Sequence, residues 1–485
     1  MHEYTALKAV KMKVEKNFIN NEFLGTTSND LIQIYNPTNG KIIAQVQAAS
    51  SEETIHAIDC AAEAQRKWRK LTSIERGTYL QRLADALLAR KGEIGAVLAE
   101  ESGKSLEDAT NEAVYASEIT RYHAEWARRI EGEIIPSDTP NEHLLLQREP
   151  IGVVAALIPF NYPVFTLLRK IAPALITGNS VIIRPSNNTP CSAFAIAKAV
   201  QDSGIPKGVV NILAMTHSTA ELLCTHPKVG MVTLTGSVGA GRKVLEYSQV
   251  NIAKSSLELG GKTPAIIEAD ADLNNAAKEI AASRATNSGQ LCTSVERVYV
   301  QEDVYDEFVG LLRENMSNIQ FGDRTKNCDF MGPLVNENAR LNIHQMVERA
   351  IDDGASLEVG GFIPQGPGYF YPPTLLTNCR QDMEIVQEEI FGPVLPVLKY
   401  STAEEALALA NNHQFGLASV IYTENYRTAI TVANEIEAGE VYINRTPSDP
   451  YQGYHAGWKR SGLGGDDGKH GMLEFTQTRL VVLKY

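Results

Sequence analysis

The sequence predicts an α/β protein that contains a doubly wound parallel sheet. Apolar runs typical of buried strands occur at 153–158, 181–183, 209–213 and 231–234. Helical segments lie between these runs and begin near Pro163, Pro190 and His217. Spacings of roughly 20 to 30 residues suit right-handed crossovers between parallel strands. A ligand is expected at the C-terminal ends of such strands.

The segment before this sheet is predicted to form short strands and two helices. Strands and turns are expected from about 17 to 46, around Asn36-Pro-Thr-Asn-Gly40. Ser50-Ser-Glu-Glu53 resembles a capping box, and apolar residues follow it at helical spacing. A second helix is expected near Ile74 to Lys91. We assign no chemistry to these elements.

A second α/β region follows Gly260. It contains the strand-like segment Arg297-Val-Tyr-Val300 and a predicted helix near Val304 to Met316. A loop from Gly360 to Pro373, rich in glycine, proline and aromatic residues, joins further elements. A chain of 485 residues is long enough for two or three cooperating domains.

Composition and charge exclude several classes of protein. Apolar content of 44% and charged content of 21% are ordinary for a soluble globular enzyme. A net charge of −13, without a long basic run, argues against a nucleic-acid partner. No stretch approaches the ~18 apolar residues of a transmembrane helix, so no membrane partner is expected. The first five residues lack the pattern of a signal peptide.

The cysteines and histidines bear on compartment and metal binding. The cysteines are scattered, without a CxxC pair, at Cys60, Cys191, Cys224, Cys292, Cys328 and Cys379. This distribution favours a reducing, cytoplasmic setting. The ten histidines show no HxxxH spacing, which predicts no catalytic metal.

One cysteine stands in a segment that suits a nucleophile. A cysteine reacts only where it is accessible and can become a thiolate, and small polar residues precede Cys292 as in an exposed turn. Glu258 lies on a different segment and could act as a general base. From these residues alone, a buried structural thiol and a charge at a strand end remain the simpler alternatives.

Five segments, taken together, resemble the signature segments of the aldehyde dehydrogenase superfamily. In chain order they are Pro159-Phe-Asn-Tyr-Pro163, Thr235-Gly-Ser237, Glu258-Leu-Gly-Gly-Lys262, Gly289-Gln-Leu-Cys292 and Glu389-Ile-Phe-Gly-Pro393. The resemblance runs from about Phe18 to the C-terminus. It implies an aldehyde dehydrogenase-like α/β fold with a Rossmann-type dinucleotide domain, a catalytic domain and a small β oligomerisation extension.

The resemblance also implies domain boundaries and assembly. The implied ranges are 1–128 and 148–259 for the dinucleotide domain, 260–472 for the catalytic domain, and 129–147 with 473–485 for the extension. The C-terminal tail is β-branched and alternating, so it could add a strand to a neighbour's sheet. We therefore expect a homo-oligomer, either a dimer or a tetramer.

A glycine-rich segment marks the expected cofactor site. Gly236-Ser-Val-Gly-Ala-Gly241 joins a strand to a helix, where backbone N–H groups attract phosphate. The spacing matches neither GxGxxG nor a P-loop, so a plain turn is an equal alternative from the residues alone. The resemblance implies that the cofactor is held by Pro159, Phe160, Arg184, Ser186, Asn187, Gly236, Ser237, Gly260, Glu389 and Phe391.

Two of these residues bear on the choice between NAD and NADP. NAD-selective relatives often carry Glu at the position of Asn187, where it repels a 2′-phosphate. Asn187 is neutral, and Arg184 could bind a phosphate through paired N–H groups. The alternative for Arg184 is that it merely ends a strand. We expect that NAD is used and NADP tolerated.

The resemblance implies a covalent mechanism. The Cys292 thiolate attacks the aldehyde, and the Asn161 amide and the Cys292 N–H stabilise the oxyanion. Hydride transfer to the nicotinamide leaves a thioester, which a water deprotonated by Glu258 hydrolyses. Lys170 matches a lysine near the nicotinamide ribose that assists proton transfer. Phe160 replaces a tryptophan that is common in this motif.

Further segments are similar to bacterial lactaldehyde and glycolaldehyde dehydrogenases within the superfamily. They are Glu125-Trp-Ala-Arg-Arg-Ile-Glu-Gly-Glu133, Tyr442-Ile-Asn-Arg445 and the glycine-rich stretch from Gly453 to Gly471. Arg169 and His455 match positions at the mouth of the substrate tunnel, with a structural charge as the alternative for Arg169. Thr293 stands where some of these relatives have Asn.

Three functions are open from the sequence. The leading one is oxidation of a short α-hydroxyaldehyde such as lactaldehyde or glycolaldehyde. The second is the same chemistry on an anionic aldehyde, such as succinate semialdehyde or a phosphorylated or sulfonated triose, for example sulfolactaldehyde. The third is a catalytically silent relative that serves as a binding or structural protein. An enzyme that transfers the acyl group to coenzyme A is disfavoured, because it would not need Glu258 to activate water.

Overall fold

Two large β-sheets carry the fold in the computed structural model, which describes residues 13–26, 28 and 30–485. The first five residues, on which the expectation of no signal peptide depends, lie outside the described residues. Among the helices that the structure describes, none is long and apolar enough to cross a membrane.

The N-terminal region consists of short strands followed by four helices. Its elements are β1 (Lys13–Glu15), β2 (Asn17–Ile19), β3 (Glu22–Leu24), β4 (Leu31–Asn36), β5 (Lys41–Gln47), α1 (Ser51–Trp68), α2 (Ser73–Ala89), α3 (Lys91–Ser102) and α4 (Leu106–Ala124). The capping box expected at Ser50 is present. Its side chain accepts from the Glu53 N–H, and the Glu53 carboxylate accepts from the Ser50 N–H.

Strands and helices then alternate. These elements are β6 (Glu133–Ile135), β7 (Glu142–Pro150), β8 (Val153–Leu157), α5 (Pro163–Ile176), β9 (Ser180–Arg184), α6 (Cys191–Ser203), β10 (Val210–Ile212), α7 (His217–Thr225), β11 (Val229–Thr235), α8 (Val238–Asn251) and β12 (Lys254–Glu258). Each predicted strand and helix of this region is therefore present, with small shifts at its ends.

The third region holds the second sheet and the C-terminal elements. They are β13 (Thr263–Ile267), α9 (Leu273–Ala285), β14 (Val295–Gln301), α10 (Tyr305–Asn318), α11 (Glu337–Asp352), β15 (Ser356–Val359), β16 (Thr374–Thr377), α12 (Glu384–Gln387), β17 (Val394–Tyr400), α13 (Ala403–Asn411), β18 (Phe415–Gly416), β19 (Ala418–Tyr422), α14 (Tyr426–Glu435), β20 (Glu440–Ile443), β21 (Trp458–Lys459), β22 (Gly462–Leu463), α15 (Gly468–Glu474) and β23 (Thr476–Lys484).

The first sheet has the strand order β22-β12-β11-β8-β9-β10-β2-β3. Its five central strands, β12 to β10 in this order, are parallel. Their carboxyl ends therefore meet at one edge, where Glu258 ends β12 and Gly236 follows β11. The antiparallel strand β22 comes from the range assigned to the catalytic domain, so the chain returns to the first sheet. The predicted domain boundaries stay a prediction.

The second sheet has the order β15-β16-β17-β14-β13-β19-β20 and is parallel except for β15. Its interior strand β13 is buried throughout, as expected for a parallel sheet covered on both faces. A separate sheet pairs β23 with β7 over nine residues and β7 with β6. The α/β fold class is thus confirmed.

Candidate active site

Cys292 follows a tightly constrained loop between α9 and β14. Asn287, Ser288 and Gly289 have positive φ values of 48°, 59° and 73°. A Cβ atom on Gly289 would lie 2.3 Å from the carbonyl oxygen of Gly392, so only glycine permits this approach. Consecutive left-handed residues are unfavourable and cluster at functional sites. The surrounding packing holds this loop in one conformation.

Hydrogen bonds join the cysteine loop to the segment that follows β8. The Asn161 side-chain Nδ2 donates to the carbonyl oxygen of Gln290 at 3.0 Å. Asn287 Nδ2 lies 3.3 Å from the carbonyl oxygens of both Asn161 and Gln290. A primary amide carries two N–H groups, so Asn161 keeps one for a further acceptor. The structure therefore brings Asn161 close to Cys292, as the motifs predict.

Glu258 is a buried carboxyl group without a hydrogen-bond partner among the described residues. It is 2% exposed, and neither of its oxygens accepts a hydrogen bond. Burial raises the pKa of Glu258 to about 8, although nearby His455 opposes the shift. Gly261 holds this segment against the cysteine loop, because a Cβ there would lie 2.3 Å from the Cys292 carbonyl oxygen. A carboxyl group with such a pKa is suited to act as a general base near neutral pH.

His455 lies deep in the site. It is 3% exposed, and its Nδ1 lies 2.7 Å from Glu440 Oε1. Its Nε2 is 3.5 Å from Glu258 Oε2. Burial alone would lower the pKa of His455, but Asp449 and the other neighbours raise it well above its ordinary value. The imidazole therefore lies between the carboxyl groups of Glu258 and Glu440.

Arg169 is also buried and is already paired. Its guanidinium donates to both carboxylate oxygens of Asp467, at 3.1 and 2.6 Å. Asp449 lies 3.8 Å away, and the ring of Phe165 packs 4.7 Å from the guanidinium carbon. The positive charge of Arg169 is thus balanced within the protein. Whether it contacts a substrate stays a prediction.

Asp449 is a site residue that the sequence analysis missed. One of its oxygens, Oδ1, is buried and has no hydrogen-bond partner among the described residues. The ligand atoms of Asp449, Glu440 and His455 all lie within 4.8 Å of one another. Asp449 belongs to no motif, and its positive φ of 44° could not be inferred from its neighbours in the chain.

Lys170 and Thr293 complete the predicted catalytic and substrate set. Lys170 Nζ is fully buried and donates to both oxygens of Asp466, at 2.9 and 2.7 Å. Thr293 is buried directly after Cys292. Burial raises the pKa of Glu258, and the positive charge of Lys170 is one of those that oppose this shift.

The carboxyl ends of β9 and β11 lie at the edge of the first sheet where the resemblance predicts a dinucleotide groove. Ser237 caps α8 by accepting from the Ala240 N–H, and the Gly236 N–H donates to the carbonyl oxygen of Glu258. Among the described residues, Arg184 Nε and Asn187 Oδ1 are buried without hydrogen-bond partners. Such groups are normally satisfied, so these orphaned atoms fit a polar ligand at this edge.

The other half of the groove comes from the segment after α12. Glu389 accepts from the Gly261 N–H at 3.1 Å, and burial raises the pKa of Glu389 to about 8. Gly260 is required here, because a Cβ would lie 2.2 Å from a Glu389 oxygen. The rings of Phe391 and Phe160 meet edge to face, 5.8 Å apart. The residues that are expected to line this part of the groove are half-buried, namely Pro159, Phe160, Ser186, Glu389 and Phe391.

A buried ionic network supports this half of the groove and was not predicted. Glu296 pairs with Lys262 at 3.0 Å and with Arg284 at 2.9 Å. The same carboxylate accepts from the backbone N–H groups of Ile390 and Phe391 at 2.8 and 2.9 Å. Glu296 lies on a strand that the sequence predicts only as buried, so no local signal identified its role.

The Glu440, Asp449 and His455 cluster is a grouping that a metal ion could occupy. Two of its members are joined by a hydrogen bond, since His455 Nδ1 contacts Glu440. Carboxylates and histidines also occur together without metal at catalytic sites. The expectation of no catalytic metal stays a prediction.

Comparisons with known proteins place this site in a family. Residues 23–481 match the Aldehyde dehydrogenase family. The chain is 45% identical to lactaldehyde dehydrogenase of Escherichia coli over 469 residues, covering 96% of this chain and 98% of that protein. It is 36% identical to D-glyceraldehyde dehydrogenase (NADP(+)) of Thermoplasma acidophilum, covering 97% of this chain and 96% of that one. The crystal structure of the Escherichia coli lactaldehyde dehydrogenase superposes with a TM-score of 0.96 at 44% identity, covering 98% of this chain and all of that one.

Proposed function

Because the chain belongs to the aldehyde dehydrogenase family, we propose that it oxidises a short, uncharged α-hydroxyaldehyde such as lactaldehyde or glycolaldehyde to the carboxylate. The chain is an NAD(P)-dependent enzyme that oxidises aldehydes. The substrate, the roles of the residues and the assembly are our proposals.

Cys292 is the nucleophile of this reaction. Its Sγ adds to the aldehyde carbon, and the carbonyl oxygen becomes an oxyanion. The free N–H of the Asn161 amide and the Cys292 backbone N–H donate to that oxygen. Removing one such donor typically costs about 3 kcal/mol of transition-state stabilisation.

A bound dinucleotide would supply the hydride acceptor, and loss of the hydride from the adduct would leave Cys292 as a thioester. Gly236 and Ser237 would hold its pyrophosphate at the N-terminus of α8. The unsatisfied Arg184 Nε and Asn187 Oδ1 would bind the adenosine ribose or a 2′-phosphate. Because Asn187 carries no negative charge, we propose that NADP is tolerated alongside NAD.

Glu258 carries the second half of the reaction. Its carboxylate takes a proton from water, and the hydroxide that forms attacks the thioester and releases the acid. Its pKa of about 8 keeps it able to accept and return a proton near neutral pH. Lys170, held by Asp466, would support this proton transfer electrostatically.

The substrate proposal rests on the balance of positive and negative charges in the pocket that holds the Cys292 thiol. Arg169 is neutralised by Asp467, while Asp449 keeps a buried oxygen without a partner among the described residues. A carboxylate oxygen accepts a hydrogen bond from an α-hydroxyl group but repels a carboxylate, phosphate or sulfonate. Arg169, Thr293 and His455 would contact the same end of the substrate. An anionic aldehyde would need a free cation here, so we favour the neutral one.

We also propose that the protein forms a homo-oligomer in a reducing, cytoplasmic compartment. The β6, β7 and β23 sheet exposes apolar side chains, namely Ile134, Leu480, Val482 and Leu483. A second copy would cover this face and extend the sheet into a dimer or tetramer. The six cysteines are all free thiols, which supports the compartment.

A panel of aldehydes tests the substrate proposal. Initial rates with NAD and with NADP would be compared for lactaldehyde, glycolaldehyde, propanal and succinate semialdehyde in the wild type and in Asp449→Asn. The wild type should prefer the hydroxyaldehydes. In the variant, kcat/KM for lactaldehyde should fall about tenfold, consistent with a charged hydrogen bond of about 1.5 kcal/mol, while propanal changes little. A wild type that prefers succinate semialdehyde would contradict the proposal.

A further inference from the structure

Two consecutive aspartates pair with two consecutive cations of α5. Asp467 accepts from Arg169 Nε at 3.1 Å and from Arg169 Nη2 at 2.6 Å, one bond to each carboxylate oxygen. Asp466 accepts from the neighbouring Lys170 Nζ at 2.9 and 2.7 Å. The side chain of Arg169 is 6% exposed and that of Asp467 is 1% exposed. The two-bond geometry fixes the guanidinium firmly, because its N–H groups lie in one rigid plane.

The backbone of Asp467 lies in a conformation that favours glycine. Its φ is 66° and its ψ is 167°. A residue with a side chain is strained in this region, and such strain persists where the surroundings hold it and is concentrated at functional sites. Asp467 is also the N-cap of α15, but its side chain makes no capping hydrogen bond. The aspartate at this position therefore serves the pairing with Arg169 and not the local structure of the helix.

The paired arginine belongs to the pocket that holds Glu258. Arg169 Nη2 lies 3.8 Å from Asp449 Oδ2, and a side-chain oxygen of Asp449 lies within 4.8 Å of a ring nitrogen of His455. His455 Nε2 is in turn 3.5 Å from Glu258 Oε2. One positive and two negative groups, Arg169 with Asp449 and Asp467, give a net charge of −1. A further anion placed here would be repelled.

We propose that Asp467 is a specificity-determining residue, which withdraws the charge of Arg169 from the substrate and so excludes aldehydes that carry a carboxylate, phosphate or sulfonate. The inference rests on the proposed function, in which the aldehyde is oxidised in this pocket, and it names the residue that restricts the substrate class. Loss of the Asp467 side chain frees the guanidinium and leaves the space of one methylene and one carboxylate beside it. A carboxylate of the substrate then accepts from the same two N–H groups.

Glycine is the substitution that the backbone favours at this position. It adopts a φ of 66° without the strain of a Cβ atom, which offsets part of the cost of leaving Arg169 buried without its partner. Asparagine keeps the volume of the aspartate and removes only its charge. The two variants therefore separate the charge of Asp467 from the space that its side chain fills.

A matched pair of aldehydes tests the proposal. Succinate semialdehyde carries a carboxylate, and its methyl ester, methyl 4-oxobutanoate, is uncharged. The ratio of kcat/KM for the acid to kcat/KM for the ester would be measured from NAD(P)H formation, with lactaldehyde as the reference substrate. The wild type should favour the ester by at least about tenfold, because the net negative charge of the pocket repels the acid.

The variants should shift this ratio towards the acid. Asp467→Gly should raise it by about a hundredfold, because repulsion is relieved and a charged hydrogen bond is gained. Asp467→Asn should raise it by about tenfold, because the charge of Arg169 is freed but the space stays filled. The gain should appear mainly as a lower KM for the acid, since the carboxylate is bound equally in the ground state and the transition state. A purely structural role of Asp467 would lower both rates together.

Two control variants show whether Arg169 causes the gain. The double variant Arg169→Met/Asp467→Gly lacks both charges and should favour the ester again. Asp202→Asn breaks a different pair, in which Asp202 accepts from Arg90 at 2.6 Å, and should keep the wild-type ratio. Thermal unfolding of each variant would establish that it is folded.

Three results would overturn the proposal. They are a wild type that oxidises the acid as readily as the ester, an unchanged ratio in the Asp467 variants, and a gain that persists in the double variant. Where Asp467→Gly does not fold, the wild type and Asp467→Asn decide. If lactaldehyde is a poor substrate while the ratio responds as expected, the proposed substrate fails and this inference stands. If lactaldehyde is preferred and the ratio does not respond, the inference fails and the proposed function stands.

Discussion

Replacing Glu258 by glutamine tests two properties of this carboxyl group. One is its role as a base in the reaction, and the other is the folding free energy that its burial costs. The side chain keeps its shape but can no longer accept a proton. Because only the base of the hydrolytic step is lost, the variant should still show a pre-steady-state burst of NAD(P)H, followed by slow turnover. The wild-type turnover should rise with pH around a midpoint near 8, where Glu258 ionises, and the variant should lack this inflection.

The effect on stability follows from the same pKa. The pKa of Glu258 is about 8 in the folded protein against an ordinary value of 4.5. The folded state therefore holds a proton that the unfolded chain releases, and stability is lost as pH rises from 4.5 through 8. At 1.36 kcal/mol for each pH unit, the full loss is about 5 kcal/mol above pH 8 and about 1.4 kcal/mol at pH 5.5. Glutamine does not titrate, so the variant should not lose folding stability for this reason as the pH rises.

Thermal unfolding from pH 5.5 to 9, with stopped-flow measurement of NAD(P)H, checks both expectations. The melting temperature of Glu258→Gln should exceed that of the wild type by a margin that widens with pH. Glu314→Gln, a change at an exposed position on α10, should show a constant difference. A margin that does not grow with pH would refute the argument from burial. Loss of the burst would mean that Glu258 acts before hydride transfer.

Three further substitutions test the rest of the site. Cys292→Ala should abolish dehydrogenase activity and leave dinucleotide binding, followed by fluorescence, nearly unchanged; inactivation through alkylation of Cys224 or Cys328 would contradict this. NADP should be used within about tenfold of NAD in kcat/KM, a difference of about 1.4 kcal/mol. Asn187→Glu should shift preference towards NAD by repelling the 2′-phosphate, whereas a thousandfold wild-type preference for NAD would refute our interpretation of this loop. Arg169→Met should lower kcat/KM for lactaldehyde about ten- to a hundredfold, from about 1.5–3 kcal/mol of lost hydrogen bonding. Equal small losses on hydroxy, anionic and alkyl aldehydes would show that this arginine is structural.

Local sequence determined the secondary structure and the positions that carry the motifs. Apolar runs separated by helical segments predicted the strands of the first sheet, because parallel strands are buried on both faces. The capping box at Ser50 was predictable, because all its atoms belong to four consecutive residues. The family resemblance supplied the expected roles of Cys292, Glu258 and Asn161, which composition and periodicity could not.

Only the tertiary structure decided which charges face one another around the thiol. Arg169 pairs with Asp467, 298 positions away. The Asp467 carboxylate neutralises the charge of Arg169, which the sequence alone left as a candidate for binding an anionic substrate. His455 contacts Glu440 and lies beside Glu258 because the strands and loops that carry them converge at this site. The electrostatics of a buried group depend on every neighbour within a few ångströms, whereas the sequence orders only those next to it in the chain. For this reason the sequence indicated the nucleophile, and the fold identified the charged groups around it.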